Sequence, residues 1–466
     1  KKTVPLEPKY YALNFSSDFP ELATIPFEVP HFSDNKIVFK ATTANRTITK
    51  TYWFEPYPKD GPYCFNLKME VEGDTRGLWL TSGIPDVEWI SGGPAPTLKY
   101  RQTRNGKPEV LQLDLPEKTV TMSTANPDWV CNYNGFLGLI LNPLEQVVSG
   151  FKTEKVSGEN APSRLLVIDH GLSKFEAAKL PGYQFLLPFP EKANTMHWRI
   201  FAGPFSTKVL DAVDMIYSNP ETGYESDYIS CQSYHGWFTF ISAPFAKFLM
   251  FLMNLFYSAT GSWVLSIVLL TVALRLMLYP LNAKAFESSR KMQKIGPKVK
   301  ALQDKYKKDP RQGQIEVMNL YRQEGVNPFS GCFLMLVQLP FLIGMFDLLK
   351  SNFELRGASF IPGWINDLTA PDVLFSWNYW IPFIGNSFHL LPFILGGVMF
   401  FQQRLMSPLP ADQSQWTDQQ RQQRSMGTMM ALVFTLMFYH FPAGLNIYWL
   451  SSMLLSMLQQ WWSQRK

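Results

Sequence analysis

The stretch SWVLSIVLLTVALRLMLYP, residues 262–280, decides how the rest of the chain is arranged. From Trp263 to Tyr279 its residues are apolar or nearly so, with one exception, Arg275. An α-helix rises about 1.5 Å per residue and the hydrocarbon core of a bilayer is about 30 Å thick, so this run with its flanks can cross a membrane. We therefore expect a membrane helix that carries an arginine within its apolar length.

Arg275 has two interpretations. An arginine at the centre of a membrane helix costs about 2.5–3.5 kcal/mol on insertion scales, so its surroundings must compensate. Because it lies near the Tyr279-Pro280 end, its guanidinium can snorkel to the lipid headgroups. It can equally face a water-filled cavity inside a helix bundle. The residues alone leave both interpretations open.

The two halves of the chain differ in composition. Residues 1–235 carry 23 Lys and Arg against 27 Asp and Glu, a net charge of −4. Residues 236–466 carry 20 against 11, a net charge of +9, and they hold 15 of the 19 methionines. The mean hydropathy of −0.08 hides this contrast. We therefore place the main domain boundary near Gly236.

The first half is predicted to be a large β-sandwich. Short β-branched or aromatic runs are separated by turn sequences such as Asn105-Gly106, a pattern typical of many short strands. Residues 208–217 are predicted to form a helix that closes the domain. No nucleophile–base order, zinc-protease motif or glycine-rich phosphate loop is visible. The predicted strands lie at 37–39, 47–49 with 52–54, 65–71, 111–115, 165–168 and 197–201.

The cysteines do not predict a metal site or a disulfide framework. Cys64, Cys131, Cys231 and Cys332 are too few and too scattered for either. A single bridge between Cys64 and Cys131 in an oxidising compartment is left open. We expect no metal and no cofactor.

The chain opens at Lys1 without a start methionine or hydrophobic anchor, so a trimmed N-terminus is expected, because an extracytoplasmic first half needs an export signal.

Charge predicts the topology. The segment 236–257 is long enough to span, but Pro244 interrupts it, and Lys247, Asn254 and Ser258 fall on one face of a helix. Between residues 283 and 327 there are eleven basic and five acidic residues, so the positive-inside rule places this segment in the cytoplasm. The acidic first half then belongs outside, and 236–258 is predicted to be an amphipathic helix lying in the interface.

The basic segment 283–327 is predicted to be a helical hairpin. Pro297 is interpreted as the start of one helix, and Asp309-Pro310 as the cap and first residue of a second helix that ends at Gly325. A solvated basic surface and a docking surface for anionic partners are both open interpretations. The candidate docking residues are Lys291, Lys294, Lys298, Lys305, Lys307 and Lys308.

Four more membrane spans are predicted after the hairpin. They cover residues 329–349, 388–405, 426–441 and 445–462, and together with 262–280 they make five. Residues 350–387 form an aromatic loop on the outer side. The prediction is thus a β-sandwich domain followed by an α-helical membrane domain with five transmembrane helices.

Four motifs make the second half resemble the YidC membrane protein insertases, whose relatives include mitochondrial Oxa and chloroplast Albino proteins. The motifs are LRLMLYPL after GWFTFISAPFAKF, then KMQKIGPKVKALQDKY, YRQEGVNPFSGCFLMLVQLPFLIGMF and FPAGLNIYWLSSMLLSMLQQ. The likeness is continuous over 236–466. The strands before it are similar to the large periplasmic β-sandwich of Gram-negative members. The family usually has an anchor helix before the periplasmic domain, and we expect that the trimming of the N-terminus has removed it. His440 stands where a large aromatic residue is expected.

The resemblance implies five core helices around a hydrophilic groove that is open to the cytoplasm and lipid. Arg275 matches the groove arginine, which favours the cavity over snorkelling. Thr271 and Gln338 match polar groove positions, and Tyr448 and Trp449 fall in the aromatic patch of the last helix. The implied domains are a periplasmic domain (1–235), an interfacial helix (236–258) and an insertase core (259–466) in a bacterial inner membrane. The implied partners are nascent membrane proteins, the Sec translocon, the ribosome and the phospholipid bilayer, with no small-molecule substrate.

The hypothesis from sequence is a non-enzymatic insertase. Arg275 draws the client's hydrophilic tail into the groove, and partitioning of the client's apolar segment into lipid supplies the free energy. The alternative is a transporter or channel with Arg275 as its intramembrane site. Five spans without an internal inverted repeat argue against a secondary transporter.

Overall fold

The computed structural model describes residues 4–16, 23–90, 93–145, 150–168, 175–190, 194–219, 221–233, 239–306, 309–325, 330–406 and 418–465. The chain divides into two compact units, Lys1–His235 and Gly236–Lys466. The first unit is rich in β-sheet and the second is mostly helical. At this level the fold class expected from the sequence is confirmed.

The strands of the first unit pair antiparallel in two large sheets and one small pair. The nine-stranded sheet has the order β10-β9-β12-β13-β16-β5-β4-β3-β2, the five-stranded sheet has the order β1-β6-β15-β14-β11, and β7 pairs with β8. The strands are β1 (Phe15–Ser16), β2 (Glu28–Phe32), β3 (Lys36–Thr42), β4 (Arg46–Trp53), β5 (Cys64–Gly73), β6 (Trp79–Thr81), β7 (Trp89–Ile90), β8 (Gly93–Pro94), β9 (Thr97–Arg104), β10 (Lys107–Leu113), β11 (Val120–Met122), β12 (Pro127–Tyr133), β13 (Leu137–Pro143), β14 (Phe151–Val156), β15 (Gly182–Pro188) and β16 (Thr195–Pro204).

The two large sheets share one apolar core, as the layers of a sandwich do. Leu67 and Met69 of β5 alternate with more polar neighbours, so both point to one face of the nine-stranded sheet. There they join Phe151 and Phe185 from the five-stranded sheet in one buried cluster. The rings of Phe151 and Phe185 pack edge to face, with 5.4 Å between their centroids. Burial of these side chains supplies the main driving force for folding of this unit.

One predicted strand is wrong. Residues 165–168 form a helix, α1 (Arg164–Ile168), rather than a strand. The Ser163 hydroxyl accepts a hydrogen bond from the Leu165 amide at 3.0 Å, which starts the helical turn. Arg164, the first residue of the helix, then pairs with Asp86 at 3.4 Å and with Glu88 at 2.7 Å, which holds the turn in place. A run of four apolar residues does not distinguish a strand from a short helix.

A second apolar cluster covers the opposite face of the nine-stranded sheet. It combines β12 residues with α2 (Thr207–Tyr217) and the 3-10 turn Tyr228–Cys231. The helix predicted at 208–217 is therefore confirmed. Its N-cap is Ser206, whose hydroxyl accepts from the Val209 amide at 3.3 Å. Asp214 of α2 accepts hydrogen bonds from the Tyr228 and Ile229 amides, so the helix holds the 3-10 turn in place.

The second unit is built from eight helices and a hairpin of two strands among its described residues. The helices pack mainly as α3 with α7, α3 with α4, α8 with α9, and α10 with both α4 and α8. The elements are α3 (Thr239–Thr260), α4 (Trp263–Met277), α5 (Tyr279–Lys305), α6 (Pro310–Gln323), α7 (Ser330–Ser351), β17 (Phe375–Ile381), β18 (Gly385–Phe388), α8 (Leu391–Met406), α9 (Asp418–Met437) and α10 (Ala443–Arg465).

Helices form at each apolar run that the sequence singled out, with some boundaries moved. α9 begins at Asp418, eight residues before the predicted start at 426, because the Gln and Arg residues there favour helix. The β17–β18 hairpin, which the sequence did not predict, occupies the end of the predicted loop 350–387 and the first residue of the predicted span 388–405. In the part of the chain that the structure describes, no helix combines the length and the apolar character needed to cross a membrane.

The predicted helix start at Pro297 is wrong. α5 runs without a break from Tyr279 to Lys305 and contains Pro297 in its interior. Ile295 and Val299, on either side of the proline, are buried against α6, and this packing outweighs the hydrogen bond that proline removes. The start of α6 is confirmed, since the Asp309 carboxylate accepts from the Gln312 amide at 3.2 Å. Gly325 follows the helix with a φ of +62°, as a C-terminal cap does.

Candidate functional site

α4 carries Arg275 in its last turn. The helix starts at the N-cap Ser262, whose side chain accepts from the Leu265 amide. Its buried face includes Ile267, Leu270 and Leu274, while Leu265 and Leu276 are exposed. Arg275 lies between these faces and is half-buried. The sequence of α4 therefore places its one cation at the edge of the contact with neighbouring helices.

Arg275 is bonded across to the last helix. Its Nη2 donates a hydrogen bond to the Ser452 hydroxyl of α10, with 2.9 Å between the two atoms. Tyr448, one turn before Ser452 on α10, lies close enough to interact electrostatically with the guanidinium. Arg275, Ser452 and Tyr448 thus form one polar cluster between α4 and α10. The guanidinium is directed to a neighbouring helix, where a hydroxyl partly replaces its hydration.

Thr271 lies one turn before Arg275 on α4 and is buried, with 1% of its surface exposed. Its hydroxyl donates to the Ile267 carbonyl at 2.7 Å, within the same helix. Gln338 is half-buried on α7, a helix that packs on α3 and also contacts α10. Thr271 is therefore next to the polar cluster, whereas Gln338 lies on a different helix of the bundle.

Trp449 points away from Arg275, although it is adjacent to Tyr448 in the sequence. Its ring packs on Phe434 of α9 and on Phe438 of the 3-10 turn Phe438–His440, at centroid distances of 6.2 and 5.5 Å. Its Nε1 is buried and has no hydrogen-bond partner among the described residues. Tyr448 and Trp449, which the sequence predicts as one aromatic patch, therefore lie at two different contacts of α10. Tyr448 faces α4, and Trp449 packs on α9 and the 3-10 turn that follows it.

Sequence reasoning missed Ser452 as a partner of Arg275. The available signal was spacing, because Ser452 follows Tyr448 by four residues and so shares its helix face. A contact between residues 275 and 452, by contrast, depends on how α4 and α10 pack, which no local pattern encodes.

His440 does not join this cluster. Its Nε2 lies 2.9 Å from the Phe383 carbonyl, in the turn between β17 and β18. Its ring also packs against His389, with 5.9 Å between the centroids. Among the described side chains, no group of three or more His, Cys, Asp or Glu residues could hold a metal ion.

The candidate docking lysines lie on the α5–α6 hairpin, and Lys291, Lys294, Lys298 and Lys305 are exposed. Lys291 pairs with Glu287 one turn earlier at 2.9 Å. Lys298 pairs with Glu324 at 2.6 Å, which joins α5 to the end of α6. Part of the basic charge is therefore neutralised by intrahairpin pairs. Lys307 and Lys308 lie outside the described residues.

Comparisons with known proteins extend over both units. A family described as "60Kd inner membrane protein" matches residues 255–466. The membrane protein insertase YidC of Chlamydia caviae is 45% identical over 470 residues, which cover all of this chain and 58% of that relative. The relative of the same name from Chlamydia trachomatis is 44% identical over 467 residues, covering 99% of this chain and 58% of that protein.

The match to Treponema denticola's membrane protein insertase YidC covers more of the relative. It is 36% identical over 434 residues, which are 89% of this chain and 68% of that protein. The chain thus spans somewhat under three fifths of the chlamydial relatives and two thirds of the treponemal one. Identity at this level over such lengths, together with the family match across the unit that carries Arg275, shows that the chain belongs to the YidC family of membrane protein insertases.

Proposed function

We propose that this protein inserts client proteins into a membrane, and that the polar cluster of Arg275, Ser452 and Tyr448 receives the client's hydrophilic tail. Family membership supports the activity. The observation that supports the site is the Arg275–Ser452 hydrogen bond at 2.9 Å, because it holds a half-buried cation between two mostly apolar helices, α4 and α10. An arginine in such surroundings is a functional-site hypothesis by default.

We propose that α4, α7, α8, α9 and α10 are the five membrane helices and that α3 lies in the interface. Support comes from large apolar side chains that the helical unit leaves exposed, since a soluble surface rarely carries so many together. On α9 they recur at spacings of three and four, which makes one continuous stripe. These exposed side chains are Leu265, Leu269 and Leu276 on α4, Phe393 and Phe401 on α8, and Met429, Leu432, Val433 and Leu436 on α9.

The proposed location is a bacterial inner membrane, with the α5–α6 hairpin in the cytoplasm and the β unit in the periplasm. The hairpin segment 283–327 has an excess of six positive charges, and the positive-inside rule favours the cytoplasm for such a segment. The β unit is acidic, which is compatible with the outer side. α3 carries an exposed apolar stripe of Phe248, Phe251 and Leu255, as an interfacial helix does.

In the proposed mechanism, the groove around Arg275 is hydrated and open to the cytoplasm and to lipid. The guanidinium attracts acidic groups in the client tail, and a dielectric lower than that of water strengthens this attraction. The client's apolar segment then moves along α7 and α9 into the lipid. Transfer of apolar surface out of water supplies about 25 cal/mol per Å², so the step requires no covalent chemistry and no nucleotide.

We further propose that the exposed lysines of the hairpin dock the anionic partners of insertion. Lys294 and Lys305 are exposed on α5, and Lys291 and Lys298 can exchange their glutamate partners because surface pairs contribute only about 0–1 kcal/mol. Ribosomal RNA and anionic lipid headgroups have the required charge. The ribosome and the Sec translocon are proposed as partners on the strength of the family resemblance.

The test is insertion of a client with an acidic tail into liposomes that contain the purified protein. Arg275→Ala is expected to reduce insertion at least about tenfold, because losing about 1.4 kcal/mol of attraction lowers capture by that factor. Arg275→Lys keeps the charge and is expected to keep most of the activity. Arg404→Ala is the matched control, since Arg404 is an exposed arginine of the same unit that stacks on Phe400 at 4.0 Å.

A second client, with the acidic residues of its tail replaced by glutamine, distinguishes a loss of electrostatic attraction from misfolding of the Arg275→Ala variant. Its insertion is expected to depend little on the charge at position 275. Equal insertion of the acidic client by the wild type and by Arg275→Ala contradicts the charge mechanism. Solute flux through the reconstituted protein without any client would favour the transporter or channel alternative instead.

A further inference from the structure

The C-terminal segment of the β unit, which follows α2, packs along strand β12. Trp129 of β12 donates from Nε1 to the Ser226 carbonyl, with 2.8 Å between the atoms. The Trp129 ring also packs edge to face on Tyr228, at a centroid distance of 6.2 Å. Both Trp129 and Tyr228 are fully buried. The segment that follows α2 is therefore fixed to one end of β12 by a hydrogen bond and a ring contact.

Two residues further along β12, Cys131 continues this contact. In the register of β9 and β12, Cys131 is directly opposite Lys99. The Lys99 ammonium donates to the Ser230 carbonyl at 2.9 Å and to the Gln232 carbonyl at 2.7 Å. These two carbonyls flank Cys231 in the chain. Cys131 is the residue opposite Lys99, so Lys99 holds the backbone of Cys231 next to Cys131.

The two thiols meet inside this contact. Cys131 and Cys231 are both free and both 0% exposed, and they belong to the same buried cluster. Burial, and after it the neighbouring Cys131 thiol, raises the pKa of the Cys231 thiol. Cys64 is also in the cluster, but its sulfur lies beside Gly61, at the C-terminal end of α2 near Tyr217. The geometry therefore selects Cys231, rather than Cys64, as the neighbour of Cys131.

We propose that Cys131 and Cys231 form a disulfide when the protein meets a small disulfide oxidant, such as oxidised glutathione. One cysteine thiolate attacks a glutathione sulfur and releases one glutathione as its thiol, leaving a mixed disulfide. The second cysteine thiolate attacks the mixed disulfide and releases the second glutathione. The two cysteine protons and two electrons end on the glutathione thiols, so the exchange is balanced.

The expected role of this bridge is structural. It would join β12 to the last turn of the β unit, about a hundred residues later in the chain, and so restrict the unfolded state strongly. Burial raises the pKa of the Cys231 thiol well above its usual range, so little thiolate forms at neutral pH in the folded protein. Oxidation of the folded protein is therefore expected to be slow and to accelerate with pH. This inference does not depend on the insertase proposal.

The experiment uses the full chain, purified in detergent and fully reduced. One sample is incubated folded with oxidised glutathione, and a second is diluted out of urea in the same buffer, so that burial cannot prevent the reaction. Free thiols are then alkylated, and the protein is digested with trypsin and analysed without reduction by mass spectrometry. The expected product joins the tryptic peptides 119–152 and 209–247, which carry Cys131 and Cys231.

Two variants serve as controls. Cys64→Ser is expected to leave the linked product unchanged, whereas Cys231→Ser abolishes it. Oxidation is also expected to raise the thermal unfolding midpoint of the wild type and of Cys64→Ser, and to leave that of Cys231→Ser unchanged. A link between peptides 60–68 and 119–152, or no link between 119–152 and 209–247 in either sample, overturns the proposal.

Discussion

Arg275 shows how a single polar contact can make a charged residue tolerable in an apolar helix. With α4 as a membrane helix, as proposed, insertion scales put the cost of such a residue at about 2.5–3.5 kcal/mol, and a hydrogen bond from a charged donor returns about 1.5–3 kcal/mol. Ser452 provides that bond at 2.9 Å. In the proposed mechanism, the remaining donors of the guanidinium receive the acidic groups of the client. Ser452 therefore positions Arg275, and this role can be tested separately from the charge itself.

Replacing Ser452 with alanine is expected to lower insertion of an acidic client a few-fold, less than Arg275→Ala does. The physical reason is that the charge remains while its orientation is lost. Ser451→Ala is the matched control, because it removes the neighbouring hydroxyl. A double-mutant cycle in the liposome assay measures the coupling. If the effects of Ser452→Ala and Arg275→Ala simply add, Ser452 does not act through Arg275.

Lys50 is a buried cation in the β unit. Its ammonium donates to the Leu13 carbonyl at 2.9 Å and lies over the Phe15 and Phe27 rings. Burial lowers the pKa of Lys50 from 10.5 to about 7. Between these two values the unfolded chain therefore holds a proton that the folded chain has released. The free energy of unfolding must then rise with pH between these two pKa values. This added stability is lost again as the pH falls toward the lower value.

The free energy of unfolding of the β unit is expected to increase by about 2 kcal/mol between pH 7.5 and 9.5 through this residue alone. Lys50→Met removes the titration and should flatten the pH dependence by that amount, whereas Lys36→Met, at an exposed site on β3, should not. Urea unfolding of the full chain, followed by near-ultraviolet circular dichroism, measures the difference. Parallel pH profiles for the wild type and Lys50→Met contradict the expected pKa.

Close helix packing in the second unit depends on a glycine at the contact of α8 with α9. A Cβ at Gly396 would collide with the Thr435 hydroxyl and lie 3.3 Å from Thr435 Cβ. That hydroxyl donates to the Ala431 carbonyl at 2.8 Å, so it is not free to turn aside. At Gly397, the next residue, a Cβ would meet no described atom within 4 Å. Gly396 and Gly397 are therefore a matched pair of positions, one closely packed and one open, at which the same substitution can be compared.

Gly396→Ala is expected to destabilise the helical unit by about 1–3 kcal/mol, the usual cost of overpacking. Gly397→Ala should be neutral or slightly stabilising, because alanine favours helix over glycine by about 1 kcal/mol. Thermal unfolding in detergent compares the two variants. Adding Thr435→Ala to Gly396→Ala should restore part of the loss, and a failure of Gly396→Ala to differ from Gly397→Ala contradicts this account of the packing.

The elements that could be predicted are those with a local cause. The apolar run of α4, the Asp309-Pro310 start of α6 and the helix at 208–217 each carry their signal in adjacent residues, and all three form. Residues 165–168 were misread because Ser163 and the Asp86 contact of Arg164, not the apolar run itself, set the conformation. The β17–β18 hairpin was missed because aromatic residues are common in loops as well as strands.

The candidate site could be predicted in part. Arg275 stands out in the sequence as a charge in an apolar run, and Tyr448 follows from the family motif. Ser452 could not be found from the sequence, because its contact with Arg275 depends on the packing of α4 on α10. The divergence of Trp449 toward Phe434 has the same origin. Contacts between side chains of different helices depend on tertiary packing, and no local pattern in a single sequence predicts them.

At the scale of the whole molecule, charge and chain order fix the proposed topology together. The β unit has a net charge of −4 and the hairpin segment an excess of six positive charges, so the two are proposed to lie on opposite sides of the membrane. With α4 as the first span, opposite sides require α3 not to cross. A crossing α3 would place the β unit and the hairpin on the same side.

This topology predicts which loops a protease can reach. A recognition sequence for a site-specific protease would be inserted in the full-length protein, either in the exposed Asn105-Gly106 turn between β9 and β10 or at residues 307–308 between α5 and α6. An exposed turn such as Asn105-Gly106 tolerates insertion well. In intact spheroplasts, added protease is expected to cut the first site and spare the second, which should be cut only after lysis. Cleavage of both sites in intact spheroplasts, or protection of both until lysis, would mean that α3 crosses the membrane and that the positive-inside argument fails for this chain.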